Sequence, residues 1–255
     1  MALSWKQKFL LLIVATLIGL AIATLASLSG LGKVSDAYEA RSEARAYESA
    51  SLTLLNDWLA LERTSENLEP NQVENYQERL ASLAVQSSAL SESAGTLPGD
   101  AVKTTAQQIQ EQVAEYTRLR TEWLALNQQL GLTPSSGLRA TMSEAINDRL
   151  RQISISIFND DINTIASTYR DYLSTFDATY AESTREALAR MQTTVTEMDW
   201  QEIDIGQAVQ AFANAFSDAE SLIANLSAIE NQLSATGTRI RDLIAEHNTL
   251  LRQDI

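Results

Sequence analysis

Residues 209–251 read VQAFANAFSDAESLIANLSAIENQLSATGTRIRDLIAEHNTLL. Val209, Phe212, Phe216, Ala219, Ile223 and Leu226 alternate steps of three and four, and the seam continues through Leu233, Ile240, Ile244 and Leu251. That is the heptad spacing of a helix packed in an antiparallel bundle. About 50 residues of helix reach roughly 75 Å at 1.5 Å per residue, so this segment predicts an elongated strut. Glu230 and Gly237 interrupt the seam. A seam Glu suits pairing with an Arg on a neighbouring helix or setting register, and a seam Gly admits a bulky neighbour or a kink.

The rest of the chain agrees with an all-α fold. Ala, Leu, Gln, Glu, Arg, Ser and Thr dominate, mostly helix formers, and no segment alternates with period two. The three prolines, Pro70, Pro98 and Pro134, sit in stretches rich in Asn, Gly, Ser and Thr, and they predict helix boundaries. Weaker breaks fall at 158–161 and 199–206, where Asn and Asp are suited to cap helix N-termini. Between the breaks four passes can be traced. Residues 30–94 rise, broken near Pro70. Residues 98–157 descend, broken at 131–137. Residues 160–198 rise, and 200–255 return. The two internal breaks then lie at similar heights, which describes two stacked four-helix bundles. In the alternative, 137–198 is one long helix.

Phe9–Ser29 carries no charged residue. A run of about 20 apolar residues matches the ~30 Å hydrocarbon core of a bilayer. Lys6 and Lys8 precede it, Lys33, Arg41 and Arg45 follow, and Trp5 stands where an interfacial aromatic belongs. The expected layout is a cytoplasmic leader (1–8), a transmembrane helix (9–29) and an exported helical region (30–255). A cleaved signal peptide is the alternative, with Ala23–Ser27 as a candidate cleavage region. The length of the apolar core and the unbroken helical sequence after it favour the anchor.

Composition limits the function. The chain has no cysteine, so neither disulfides nor thiolate metal sites are available to it. Residues 30–255 keep 17 of the 19 basic side chains against all 33 acidic ones, a net charge of −16. That sign argues against nucleic acid as a partner. His247 is the one histidine, a poor basis for a metal site and better suited to a partly buried or interfacial position. No catalytic nucleophile with a base, and no Gly-rich phosphate loop, is recognisable. A non-enzymatic protein without metal or cofactor is expected. Trp58, Trp123 and Trp200 lie near expected helix ends and serve as packing anchors.

Leu130–Arg139, LGLTPSSGLR, followed by Met142, Glu144 and Ala145, is similar to a segment recurring in long helical receptor ectodomains. With the Lys-flanked anchor and about 225 helical residues returning toward the membrane, the chain resembles the periplasmic sensor region of bacterial methyl-accepting chemotaxis receptors of the helical bimodular type. The resemblance implies two stacked helical bundles, a homodimer in the bacterial inner membrane, small organic-acid ligands, and a signal carried by a small helix displacement. It also implies a parent receptor with a second transmembrane helix and a methylated signalling hairpin beyond Ile255. A helical scaffold or tether, or the sensor region of a histidine kinase, are the alternatives. Family members that bind carboxylates often carry paired arginines on the first long helix. This chain has only Arg63 between residues 46 and 78.

A carboxylate ligand needs fixed donors, for which the Arg fork is suited. Ile162, Ile165, Tyr169, Tyr172 and Phe176 form a stripe that continues through Thr179 and Ser183, with Tyr180, Thr184 and Arg185 alongside. This cluster can form a ligand wall facing Arg63, which makes Arg63, Tyr180, Thr184 and Arg185 the candidate binding residues. It can equally be a solvated face where the seam shifts.

Overall fold

The computed structural model describes residues 41–97, 99–152 and 155–253, with Leu20, Thr24, Tyr38 and Glu39 as isolated positions. The expected span at 9–29 lies outside the described residues except for Leu20 and Thr24, both helical, and so does Pro98. Among the described residues no helix is long and apolar enough to cross a membrane, and none is in a strand. The fold is an all-helical bundle.

We number the helices α1 (residues 41–65), α2 (Val73–Ala94), α3 (Asp100–Leu130), α4 (Gly137–Glu144), α5 (Asn159–Thr175), α6 (Ala178–Glu197) and α7 (Asp204–Gln253). A π-helical turn, Ala145–Leu150, extends α4, and short 3-10 turns precede α2 and α5. α7 is one helix of 50 residues, as the heptad seam predicts. Val209, Phe212, Phe216, Ala219, Ile223, Leu226, Leu233, Ile240, Ile244 and Leu251 are all buried along it. At residue 230 the stripe steps back to the buried Ile229, leaving Glu230 exposed. Interior positions in α7 gain from burial at roughly 1.5–3 kcal/mol per large apolar side chain.

The chain reverses more often than the four-pass tracing allows. Asp57 accepts from Gln86 at 2.8 Å, and Thr64 accepts from Arg79 at 3.2 Å. These pairs make α1 and α2 antiparallel, so the Pro70 region is a reversal and not a break within one pass. Pro70 opens a 3-10 turn, and Gln72 Oε1 accepts from the Glu69 N–H, seating the start of α2. The segment expected as one pass over 160–198 is also two helices. Thr168 and Thr184 share a hydrogen bond at 2.7 Å, and Arg190 reaches Asp161 at 2.8 Å, so α5 and α6 are antiparallel. Phe176 ends α5 at φ 57°, and Asp177 caps α6 by accepting from the Thr179 N–H. The single long helix over 137–198 is thereby excluded too. A reversal also separates α2 from α3, and α4 with its π-helical turn from α5, whereas α4 follows α3 along α7.

α7 packs most extensively on α3, and further along its length on α4, the π-helical turn and α6. Its contacts fall into two groups. The half after Leu226 meets α3 and α1: Trp123 donates to Glu230, Ser51 donates to Asn248, and Tyr47 lies 5.0 Å from the His247 ring. The half before it meets α5 and α6: Tyr169 and Tyr172 pack on Phe212 and Phe216, and Arg185 pairs with Glu220. α2 packs on α3 in the first group, and α5 on α6 in the second.

Gly237 shows how closely the first group is fitted. A Cβ at this position would lie 2.9 Å from Cζ2 of the buried Trp58. The seam glycine admits a bulky neighbour, one of the roles its sequence position allows. Gly237→Val is expected to destabilise the protein by about 1–3 kcal/mol, the usual cost of overpacking. Urea unfolding should show this, with Trp58→Phe in the same chain recovering part of it.

Candidate functional site

At the level where α1 ends and α3 gives way to α4, the loops 66–71 and 131–134 face one another across an open cleft of about 800 Å³. Gly131 makes the second loop possible. Its φ of 110° suits glycine, and a Cβ there would collide with the Ser136 carbonyl at 2.0 Å. Ser136 holds the same loop closed, accepting from the Thr133 N–H at 3.0 Å. A second cleft of about 590 Å³ adjoins the first along Ser65, Glu66 and Trp123, and opens between α1, α3 and α7. We call the two together the waist cleft. Each part by itself lies in the ordinary size range for small-molecule sites.

A charged cluster forms one wall of the smaller part. Arg120 is buried, and its Nη2 donates to Glu62 Oε1 at 2.6 Å. Tyr116 Oη donates to the same carboxylate oxygen and accepts from Arg120 Nε at 3.1 Å. The guanidinium also stands 5.5 Å from the Tyr116 ring and 5.2 Å from the Trp123 ring. Burial works against its charge, and the Glu62 carboxylate bonded to it favours that charge, so the group stays ionised. Burial raises the Tyr116 phenol and pushes that of Tyr76 up to about 12, so both stay protonated. Arg241 stacks over Trp58 at 5.7 Å on the far rim.

Arg139, on the first turn of α4, lines the larger part. Its Nη2 donates to the Leu173 carbonyl at 2.6 Å, while Nε is buried without a partner. Burial lowers its affinity for the proton. Among the described residues, Arg118, Arg120, Arg185 and Arg190 each have a carboxylate within ion-pair distance, and Arg139 has none. Glu66 and Glu69 stand in the same lining without pairing to it.

The four residues expected from sequence are dispersed. Arg63 is exposed on α1, and no hydrogen bond or ion pair joins it to α6. Thr184 is fully buried, bonded to Thr168 and to the Tyr180 carbonyl. Tyr180 sits at the edge of exposure, and Arg185 is engaged by Glu220. None of the four lines the waist cleft. The stripe that suggested them runs through Phe176, where the chain in fact reverses. Glu230 accepts from Trp123 Nε1 at 3.3 Å, in place of the arginine partner its seam position suggests. Arg120 and Arg139 carried one signal in sequence: each lies within or beside an apolar helical stripe. Among the described residues no group of His, Asp and Glu is arranged to hold a metal ion.

His247 is completely buried, with both ring nitrogens unpartnered, further inside than the partly buried or interfacial place expected for it. Burial lowers its pKa to about 4.

No family model, no curated protein and no solved structure matches this chain.

Removing the Glu62 carboxylate leaves the Arg120 charge buried and uncompensated. Glu62→Ala should cost about 3 kcal/mol, the lower end for a broken buried pair because Glu62 is itself one-third open. Glu62→Gln combined with Arg120→Met should cost less than the two single changes summed, as measured by chemical denaturation. A second expectation concerns pH. The unfolded chain protonates His247 near pH 6.5, and the folded chain does so only near 4. Between those values the unfolded state binds more protons, so stability falls as pH drops through the window, by about 3 kcal/mol in all. His247→Met should flatten this part of the stability profile.

Proposed function

We propose that residues 30–255 are the extracytoplasmic ligand-sensing region of a chemotaxis receptor, held in the bacterial inner membrane by residues 9–29 and acting as a homodimer. In this reading the two contact groups are two four-helix modules. α1, α2, α3 and the second half of α7 form the module near the membrane. α4 with its π-helical turn, α5, α6 and the first half of α7 form the distal module. A small solute, an organic acid among the candidates, binds in the waist cleft between them.

The observation that carries this reading is the position of α7. It borders the cleft through Glu230, Leu233 and Gly237, and it packs against helices of both groups without interruption. A solute that alters packing at the cleft acts on a rigid rod about 75 Å long. Helix shifts of about 1–2 Å are a common form of signal. The distribution of charge supports the same reading. Arg139, half-buried and without a carboxylate within ion-pair distance, stands on the wall of the open cleft.

Titration calorimetry of the purified chain against a panel of organic acids, amino acids and amines should find at least one ligand that also raises Tm. Because the chain has no cysteine, spin labels can be placed at Thr53→Cys and Ala245→Cys, both exposed. The α1–α7 distance they report should change by about 1–2 Å when that ligand is added. An inert panel with unchanged melting would count against a sensor, as would binding without any change in distance.

A further inference from the structure

We infer that the larger part of the waist cleft is a site for a small zwitterion, a molecule with one carboxylate and one primary ammonium group such as an α-amino acid. This rests on the reading above that the cleft takes a solute, and it specifies the chemistry of that solute. Arg139 lines the cleft, spends one hydrogen bond on the Leu173 carbonyl and has no carboxylate partner. A ligand carboxylate supplies the missing counter-charge, and the guanidinium fork is shaped to receive it.

The same lining carries Glu66 and Glu69, which are exposed and form no ion pair. They lie on the chain reversal after α1, whereas Arg139 lies on α4, so the lining carries charges of opposite sign on separate elements. A dicarboxylate would satisfy Arg139 and set its second negative charge against the two glutamates. A simple amine would satisfy the glutamates and leave Arg139 unpaired. A zwitterion satisfies both sides, and Asn71 and Asn127 in the lining add amide donors and acceptors. Trp123, also in the lining, offers aromatic surface that suits an apolar or aromatic ligand side chain.

The test is titration calorimetry of the full chain in detergent with three sets of probes: neutral L-amino acids, succinate and malate, and the alkylamines that lack only the carboxylate. The expected result is binding of at least one amino acid, weakened roughly tenfold or more in its methyl ester and in its N-acetyl derivative, since each removes one charge-assisted contact. These derivatives probe both halves of the site without altering the protein. Arg139→Met should match the loss seen with the methyl ester, and Glu66→Gln with Glu69→Gln the loss seen with the N-acetyl compound. Retention of the far-UV spectrum and of Tm would show that each variant is folded. Should Arg139→Met fail to fold, the ester and Arg139→Lys decide the point.

Binding of dicarboxylates alone, or of amines alone, would overturn the zwitterion and leave the solute cleft standing. Amino-acid binding that is indifferent to esterification, to acetylation or to Arg139→Met would also overturn it. Silence from all three sets would overturn the solute cleft as well.

Discussion

α7 has to bury an apolar stripe along all of its 50 residues, and none of the other described helices is as long. α3, the next longest, ends at Leu130, and Gly131 turns the chain away. Covering the stripe therefore takes two successive sets of shorter helices, and wherever one set gives way to the next, backbone must leave helical geometry. Helix ends expose N–H and C=O groups that the helix cannot satisfy internally. The waist cleft lies at such a changeover, where α1 ends, α3 ends and α4 begins. The polar loops that line it follow from this mismatch of helix lengths.

The changeover also explains where the charges are. Tyr116, Arg120 and Trp123 lie on the last turns of α3, facing Glu62 near the end of α1 and Glu230 on α7. A guanidinium this deep would be costly if isolated, since unpaired buried charges lose several kcal/mol of solvation. Here one carboxylate oxygen receives both the phenol and the guanidinium, and two aromatic rings lie within 6 Å of the cation. The result is a polar plug that joins α1 to α3 within one helix group. Arg139 has a different balance. Its link to Leu173 ties α4 to the end of α5, and the remainder of its charge faces the cleft.

Much of the fold was legible because α7 carries a long and nearly regular pattern. Heptad steps fixed its length, its buried face and its partnership in a bundle, and the Gly-rich stretch after Leu130 marked the interruption between α3 and α4. What was missed turns on short-range chemistry. The reversal at Phe176–Asp177 has neither proline nor glycine. It is made by one non-glycine residue in the left-handed region and an Asp cap, and Phe176 also continues the apolar spacing of α5. Period alone could not separate α5 from α6, so Tyr180, Thr184 and Arg185 were placed on a wall that the turn removes. The region around Pro70 was recognised as a break, but direction after a break is set by tertiary pairing, visible only in contacts such as Asp57–Gln86 and Thr64–Arg79. The cleft itself joins residues from 58–71, 120–139 and 230–241. No local pattern connects segments so far apart.

The same geometry limits how a solute in the cleft could act. Close-packed interiors do not deform continuously, and displacement is taken up where packing is loosest. Along α7 the contacts at the cleft's edge and beyond it are tight: Gly237 sits against Trp58, and His247 is sealed beside Tyr47. Around the cleft the lining is loop, open space and long side chains. A charged occupant would draw on Arg139, which is bonded to the α5 terminus, and on residues 66–71, which join α1 to α2. Its effect would divide between the two helix groups, and only α7 and the short α3–α4 connection run continuously from one group to the other. α3 and α4 are separated by the bend at Gly131, which absorbs motion. α7 has no such joint near the cleft, so a shift imposed there would be carried along it largely as a rigid translation.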